Sequence, residues 1–294
     1  MANNPNPDLS IIILNYNVRD LLLNCLESVF KSLQGTGYRV QVIVVDNASS
    51  DGSIEAVKKE YPQVEPFKNE SNLGFAKGNN VGVKLAKAPV ILFLNPDTVI
   101  LDNAIGKSLE FLMSNPDIGA LTCRVELPDG KLDYSCHRGF PTPWNSFCYF
   151  LGLSKLFPKW KLFAGYTATH LDISKTHGID CLTGAFLMVR KIAGEQINWW
   201  DTDYFWNGED IEFCYLLKEK DWKIYFYPEV KIIHFKGSSA GKAKSATVLH
   251  GISAMRIFYK KHYYKKYPFL IRDLILAGIK MLEHYRKARL WIYQ

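Results

Sequence analysis

The sequence has no uninterrupted apolar run near the roughly 18 residues that a membrane-crossing helix needs, so a transmembrane anchor is not expected. Its start, MANNPNPDLS, has neither a basic stretch nor an apolar core of the kind that directs export, which points to a cytoplasmic protein. The six cysteines (Cys25, Cys123, Cys136, Cys148, Cys181 and Cys214) include no C-x-x-C pair. That absence speaks against a zinc site and a compact disulfide framework, and for reduced thiols. There is no internal repeat and no low-complexity segment. With 294 residues, 48% hydrophobic and 22% charged, the chain reads as one large folded domain or one domain with an appendage.

Charge is present but uneven. Residues 256–294 hold ten Lys/Arg against Asp273 and Glu283, a net of +8, which leaves −1 of the total +7 for residues 1–255. The basic character belongs to the tail, and two units follow: a near-neutral main domain over 1–255 and a basic aromatic helical extension over 256–294.

Apolar runs and amphipathic runs alternate through the first hundred residues, the pattern of β-α-β units and a mostly parallel sheet flanked by helices. Residues 10–14 (SIIIL) read as a buried strand. Leu22, Cys25, Leu26, Val29 and Leu33 then recur at helical spacing. Further strands fall at 40–45 (VQVIVV), 64–68 and 90–94 (VILFL), with helices near 54–60 and 75–86. The strands deliver Asn15-Tyr16-Asn17, Asp46 and Asn95-Pro96-Asp97 to their carboxyl ends, the edge where open α/β sheets bind ligands. Periodicity fades over 127–178, where loops and short helices over an acceptor side are expected. It returns at 181–189 and at 223–235 (KIYFYPEVKIIHF), which reads as a strand pair around Pro228.

Several residues could carry chemistry. Asp46, at a strand end before a Ser/Gly turn, is placed to accept from a base N–H, or else to close an Asx-turn; Asp51 reads as a helix cap. Gly74, Ala76 and Gly78 would let a helix start approach phosphate, although glycine also serves helix-to-sheet packing. Asp97, exposed directly after an apolar strand, suits a Mg²⁺ or Mn²⁺ bridging a diphosphate, with an Asn-Pro-Asp turn as the alternative. In 199–214, aromatic residues including Trp206 surround acids that could pair with sugar hydroxyls. A carboxylate in such a pocket can serve as a general base, a role compatible with Glu209, Asp210 and Glu212 simply favouring a helix N-terminus. His234 ends an apolar run and is either structural or a neutral metal ligand.

The ordered motifs I-I-L-N-Y-N, V-V-D-N-A-S-S-D-G-S, N-x-G-F-A-x-G-N-N-x-G, L-N-P-D-T, L-T-G-A-F-L-M-V-R, N-G-E-D-I-E and I-x-H-F-x-G-S-S span roughly residues 9–240. Together they resemble family-2 glycosyltransferases of the GT-A fold, especially the rhamnosyltransferase-like branch. The resemblance implies an inverting transfer from a nucleotide-sugar donor, dTDP-rhamnose or a UDP-sugar, to a glycan or lipid-linked acceptor in cell-surface polysaccharide synthesis. It implies a nucleotide site of Asn15, Tyr16, Asn17, Asp46, Asn72, Gly74, Asn80 and Asp97, and Trp206 and Gly184 on the sugar and acceptor side. Metal would fall to Asp97 and His234; Asn95 stands where the family's first D-x-D acid would be, leaving one carboxylate fewer. Asp210 would be the general base, with Glu209 as the alternate.

The tail mixes Tyr, Phe, Lys and Arg with a partly regular apolar face. It reads either as an interfacial helix on the inner face of the cell membrane, with Trp291 at headgroup depth, or as a helix packed on the domain. No nucleic-acid motif is present. Two other functions share parts of this pattern. A sugar nucleotidyltransferase would carry a G-x-G-T-R loop where Asn15-Tyr16-Asn17 stands, and an inactive carbohydrate-binding or scaffold module would not need Asp97, Asp210 and His234 together.

Overall fold

The computed structural model describes residues 6–236 and 244–292. The Gly237-Ser238-Ser239 end of the last motif and the side chain of Trp291 lie outside the described residues.

Three buried strands and an exposed edge strand (65–68) open the fold. β1 (Leu9–Asn15), β2 (Val40–Asp46) and β3 (Glu65–Lys68) alternate with α1 (Arg19–Leu33), α2 (Ser53–Glu60) and α3 (Gly74–Leu85), and β4 (Val90–Leu94) follows. They pair in parallel in the order β3-β2-β1-β4. Ile11, Ile12 and Ile13 of β1 and Ile91 and Leu92 of β4 have no exposed surface, as expected of strands covered on both faces. α1 buries Leu22, Cys25, Leu26 and Val29 along one stripe. Registers Asn15↔Asp46 and Ile13↔Leu94 bring the polar carboxyl ends of β1, β2 and β4 to one edge.

The second half is mixed. It comprises β5 (Thr98–Ile100), α4 (Ala104–Ser114), β6 (Ile118–Glu126), α5 (Pro143–Phe150), α6 (Leu153–Leu156), α7 (Lys161–Ala164), β7 (His177–Gly178), β8 (Phe186–Arg190), α8 (Lys191–Gln196), α9 (Glu209–Glu219) and β9 (Lys223–His234). β8 joins the sheet antiparallel to β4, and the order continues β8-β6-β9-β5, with β7 on β9. The parallel character is therefore confined to the N-terminal half and the β6–β9 pair.

The expected strand pair around Pro228 is one strand. β9 stays on β6 throughout, and the register jumps from Cys123↔Tyr227 to Arg124↔Lys231, so Pro228, Glu229 and Val230 form a bulge. Proline has no N–H for the ladder, and the bulge removes the need for one. The strand expected over 181–189 begins only at Phe186; Cys181 makes a single bridge to Arg138.

The chain ends in α10 (Lys244–His262) and α11 (Phe269–Ile292). The boundary expected at 255/256 falls inside α10. Ile252, Phe258, Tyr259 and Tyr263 form a second core with Tyr215 of α9 and Ile279 of α11, and His262 Nε2 lies 2.8 Å from the buried carboxyl of Glu212. α10 is thus packed into the main domain. Among the described residues no helix is long and apolar enough to cross a membrane.

Candidate active site

A cleft of about 810 Å³ opens at the carboxyl edge of the parallel strands. Asn15, Tyr16, Asn47, Asn72, Gly74 and Asp97 line one side; Arg138, Tyr149, Gly184, Trp206, Glu209 and Asp210 line the other, with His234 and residues of α10.

On the wall built by the parallel strands, the loops after β1 and β2 are tied together. Asn15 Nδ2 donates to Asp46 Oδ2 (2.8 Å), and Ser49 N donates to Asp46 Oδ1 (2.7 Å). Asp46 is fully buried and is not among the cleft-lining residues. Its carboxylate closes the Asx-turn and orients Asn15, whose own buried Oδ1 has no partner. Asn17, at φ +53, accepts from Ser50 N and lies outside the cleft lining. Asp51 accepts from Ser53 N and Arg19 N, the first residues of α2 and α1, while Gly52 rather than Asp51 occupies the N-cap of α2.

Asn72 accepts from Gly74 N and Asn47 Nδ2 and lines the cleft. Asn80 does not. Its Nδ2 donates to Trp200 O and its Oδ1 accepts from Trp200 N, so both polar ends clamp α3 to the 199–200 turn. Gly78 is also structural: a Cβ there would stand 2.5 Å from Leu14 Cδ1, so it serves close helix-to-sheet packing.

Asp97 and His234 come together because β5 pairs antiparallel with β9, placing Thr98 opposite His234, and Phe235 N donates to Asp97 O. His234 Nε2 lies 3.2 Å from Asp97 Oδ1, and its Nδ1 lies 3.4 Å from Asp133 Oδ2. Lys236 Nζ also reaches Asp133 (3.0 Å). Burial alone would depress the imidazole, but the hydrogen bonds and charges of Asp133 and Asp97 prevail and raise its pKa to about 9. Burial likewise opposes ionisation of Asp133, yet His234 and Lys236 hold it well below the usual carboxylate range.

This set fits a divalent cation in one way. A histidine with a carboxylate behind its Nδ1 and a second acid at its Nε2 is the arrangement of an oriented metal ligand. Among the described residues no group of three or more His, Cys, Asp or Glu is arranged to hold a metal by itself. Asp97 and His234 therefore suit a cation whose remaining positions come from a ligand's phosphates and water.

On the opposite wall, α9 starts at Glu209 behind Gly208, whose φ of +89 and 2.7 Å clearance from Ala254 to an added Cβ demand glycine. Arg138 Nη2 donates to Asp210 Oδ2 (2.6 Å) and to Leu182 O, while its Nε donates to Ser135 O. Asp210 is thereby held in one orientation. Glu209 is buried with Oε2 unpartnered, and burial, then the charge of Asp210, pushes its carboxyl up to about 8. Glu212 is structural, bound by Tyr204 Oη (2.9 Å) and His262. Trp206 and Gly184 also line the cleft.

The family described as Glycosyl transferase family 2 matches residues 10–175, more than half of the chain. The chain belongs to glycosyltransferase family 2. Among relatives of this family-2 enzyme, the N-acetylglucosaminyl-diphospho-decaprenol L-rhamnosyltransferase of Mycobacterium tuberculosis is 27% identical over 229 residues, covering 74% of each chain. A poly(ribitol-phosphate) beta-glucosyltransferase of Bacillus spizizenii is 26% identical over 276 residues, 87% of this chain and 40% of the relative. The fold is shared with a mannosyltransferase from Pyrobaculum calidifontis solved with GDP-Man and Mn²⁺ (TM-score 0.62, 16% identity, 93% of this chain and 69% of that one).

For this family-2 glycosyltransferase, sequence reasoning missed Arg138, Asp133 and Lys236. The first two lie in 127–178, where no periodicity marked which side chains point inward. The third follows His234 on a loop and carried no motif signal of its own.

Proposed function

We propose that the chain is an inverting glycosyltransferase that takes a sugar from a nucleoside-diphosphate donor, dTDP-rhamnose or a UDP-sugar, and attaches it to a hydroxyl of a lipid-linked saccharide. The observation that carries this reading is a single cleft lined by both the Asp97–His234 pair and the Arg138-oriented Asp210. The relative named for a decaprenyl-diphosphate-linked acceptor supports the lipid-linked class, and the neighbour solved with GDP-Man and Mn²⁺ supports a divalent cation.

Asn15 Oδ1, a buried acceptor without a partner, is placed to take a base N–H, with Asp46 acting through Asn15 by fixing it. Asp97 and His234 would hold a Mg²⁺ or Mn²⁺, which when bound supplies positive charge at the donor diphosphate. Asp210 takes the proton from the acceptor hydroxyl as that oxygen bonds to the anomeric carbon. The bond from that carbon to the diphosphate oxygen breaks on the opposite face, so the configuration inverts. Glu209, protonated near neutral pH, is not free to take the proton. Tyr149 and Trp206 offer ring faces to sugar C–H groups.

α11 exposes Leu270, Leu274 and Met281 among Arg272, Lys280 and Lys287, and this face would rest on the inner face of the cell membrane.

Calorimetric titration of UDP and dTDP with and without Mn²⁺ tests the site. Tighter binding with the ion, lost in His234→Asn, is expected; equal affinities would remove the metal from the reading.

A further inference from the structure

The acceptor side of the cleft is built by a stretch of unusual surface. Nine of the 22 large hydrophobic side chains exposed among the described residues fall within 143–164. Trp144, Phe147, Leu151, Leu156, Trp160 and Leu162 all face outward, Leu156 with 72% of its surface exposed. A soluble surface seldom concentrates apolar groups in this way unless something covers them.

The charges in the stretch have one sign. Lys155, Lys159 and Lys161 are exposed, and no Asp or Glu occurs between Asp133 and Asp172. Whatever covers the patch must accept apolar side chains and be anionic around them. The patch is also preformed. Trp160 and Phe163 stack with centroids 6.1 Å apart, and Trp144 and Phe147 at 5.8 Å, while Trp144 Nε1 donates to Leu162 O (2.9 Å). The indole N–H of Trp144 is thus satisfied within the chain.

The inner side of the same segment adjoins the site. Ser146, Tyr149 and Phe150 of α5 line the cleft, with α10 contributing Gly251, Ala254 and Phe258 to the lining. We propose that residues 143–164 form a docking surface for an anionic phospholipid bilayer, which holds the acceptor mouth of the cleft at the membrane. The inference rests on the reading of a lipid-linked acceptor and gives that reading a place for the lipid. Tryptophan and lysine over an apolar body match the interfacial zone of a bilayer, where rings lie at headgroup depth and ammonium groups meet phosphate. A second copy fits less well, because a two-fold contact through this patch would set the three lysines against their own counterparts.

The experiment is flotation with vesicles of phosphatidylcholine alone and with about one third phosphatidylglycerol. The wild-type chain should float with the anionic vesicles. The triple variant Leu156→Ser, Trp160→Ser, Leu162→Ser, none of which lines the cleft, should lose about tenfold in partitioning. Its transfer to a short-chain, water-soluble acceptor should be unchanged. A charge-reversed variant, Lys155→Glu, Lys159→Glu, Lys161→Glu, tests the same surface without touching packing and should lose the preference for phosphatidylglycerol. The proposal is overturned if both variants float like the wild type while Leu270→Ser, Leu274→Ser, Met281→Ser on α11 does not; the acceptor reading then survives with a different membrane contact. It is also overturned if light scattering shows a wild-type dimer that the triple variant converts to monomer with flotation unchanged. A wild type that binds no vesicle and uses no lipid-linked acceptor removes both the proposal and the acceptor reading, and leaves donor hydrolysis to be judged by itself.

Discussion

Arg138 decides how the two acids at the start of α9 differ. Its guanidinium sits on Asp210 at 2.6 Å, and Glu209 next to it has one buried oxygen with no partner. Adjacent carboxyls in one pocket are thus separated into an oriented anion and a buried acid. Asp210→Asn is expected to lower transfer by about 10²–10⁴-fold with nucleotide affinity retained, whereas Glu209→Gln should keep most of the rate. Transfer assays paired with nucleotide titration check this, and a normal rate in Asp210→Asn would assign the proton elsewhere. Glu209 also sets a pH dependence. Its folded value of about 8 lies above the unfolded 4.5, so the fold favours the protonated form. The stability this gives is complete below about 4.5 and is lost as pH rises toward 8. Thermal melts across that window should show the wild type declining more steeply than Glu209→Gln, and parallel curves would refute the assignment. At this scale a strand end announced the position of Asp97 but not its burial against His234. The sequence was not legible for Arg138 or Asp133, which lie in aperiodic chain and become meaningful only beside Asp210 and His234.

Among the elements, α3 shows how tightly the donor half is assembled. Gly82 rests against β1, and a Cβ there would lie 2.5 Å from Ile12 Cγ2 and 3.2 Å from Val45 Cγ2. Gly82→Ala should therefore push α3 off the sheet and cost roughly 1–3 kcal/mol, measured by denaturant unfolding. An unchanged midpoint would mean that the helix shifts freely. The parallel strands and their helices were readable because burial on both faces leaves continuous apolar runs and a 3.6-residue stripe. β9 was not, because Pro228 looks like a break in any local reading. Only pairing with β6 on both sides of the bulge makes it one strand.

At the scale of the whole molecule, the basic tail is two things. α10 belongs to the body, where it packs on α9, and Lys261 pairs with both Asp201 and Asp203 (2.7 Å to the latter). Net charge drew the sequence-based boundary at 255/256, but charge does not report what a helix packs against. A chain ended at residue 255 would leave the buried Glu212 without His262, a loss of roughly 1–3 kcal/mol beyond the lost apolar core. It should melt several degrees below a chain ended at residue 268; equal melting temperatures would show α10 to be dispensable.

The junction of β4 with β8 divides the sheet into a parallel half and a mixed half, with Asn95 N donating to Ala185 O across the seam. Asn15, Asn47, Asn72, Gly74 and Asp97 of the cleft come from the first hundred positions, while Arg138, Tyr149, Trp206 and His234 come from beyond the seam. The halves can consequently diverge at different rates. On the proposed reading, grafting a relative's 139–178 segment, which keeps Asp133 behind His234 and Arg138 on Asp210, would exchange part of the opposite wall and leave the Asn15 and Asp97–His234 side in place, so new linkages can arise without rebuilding that side.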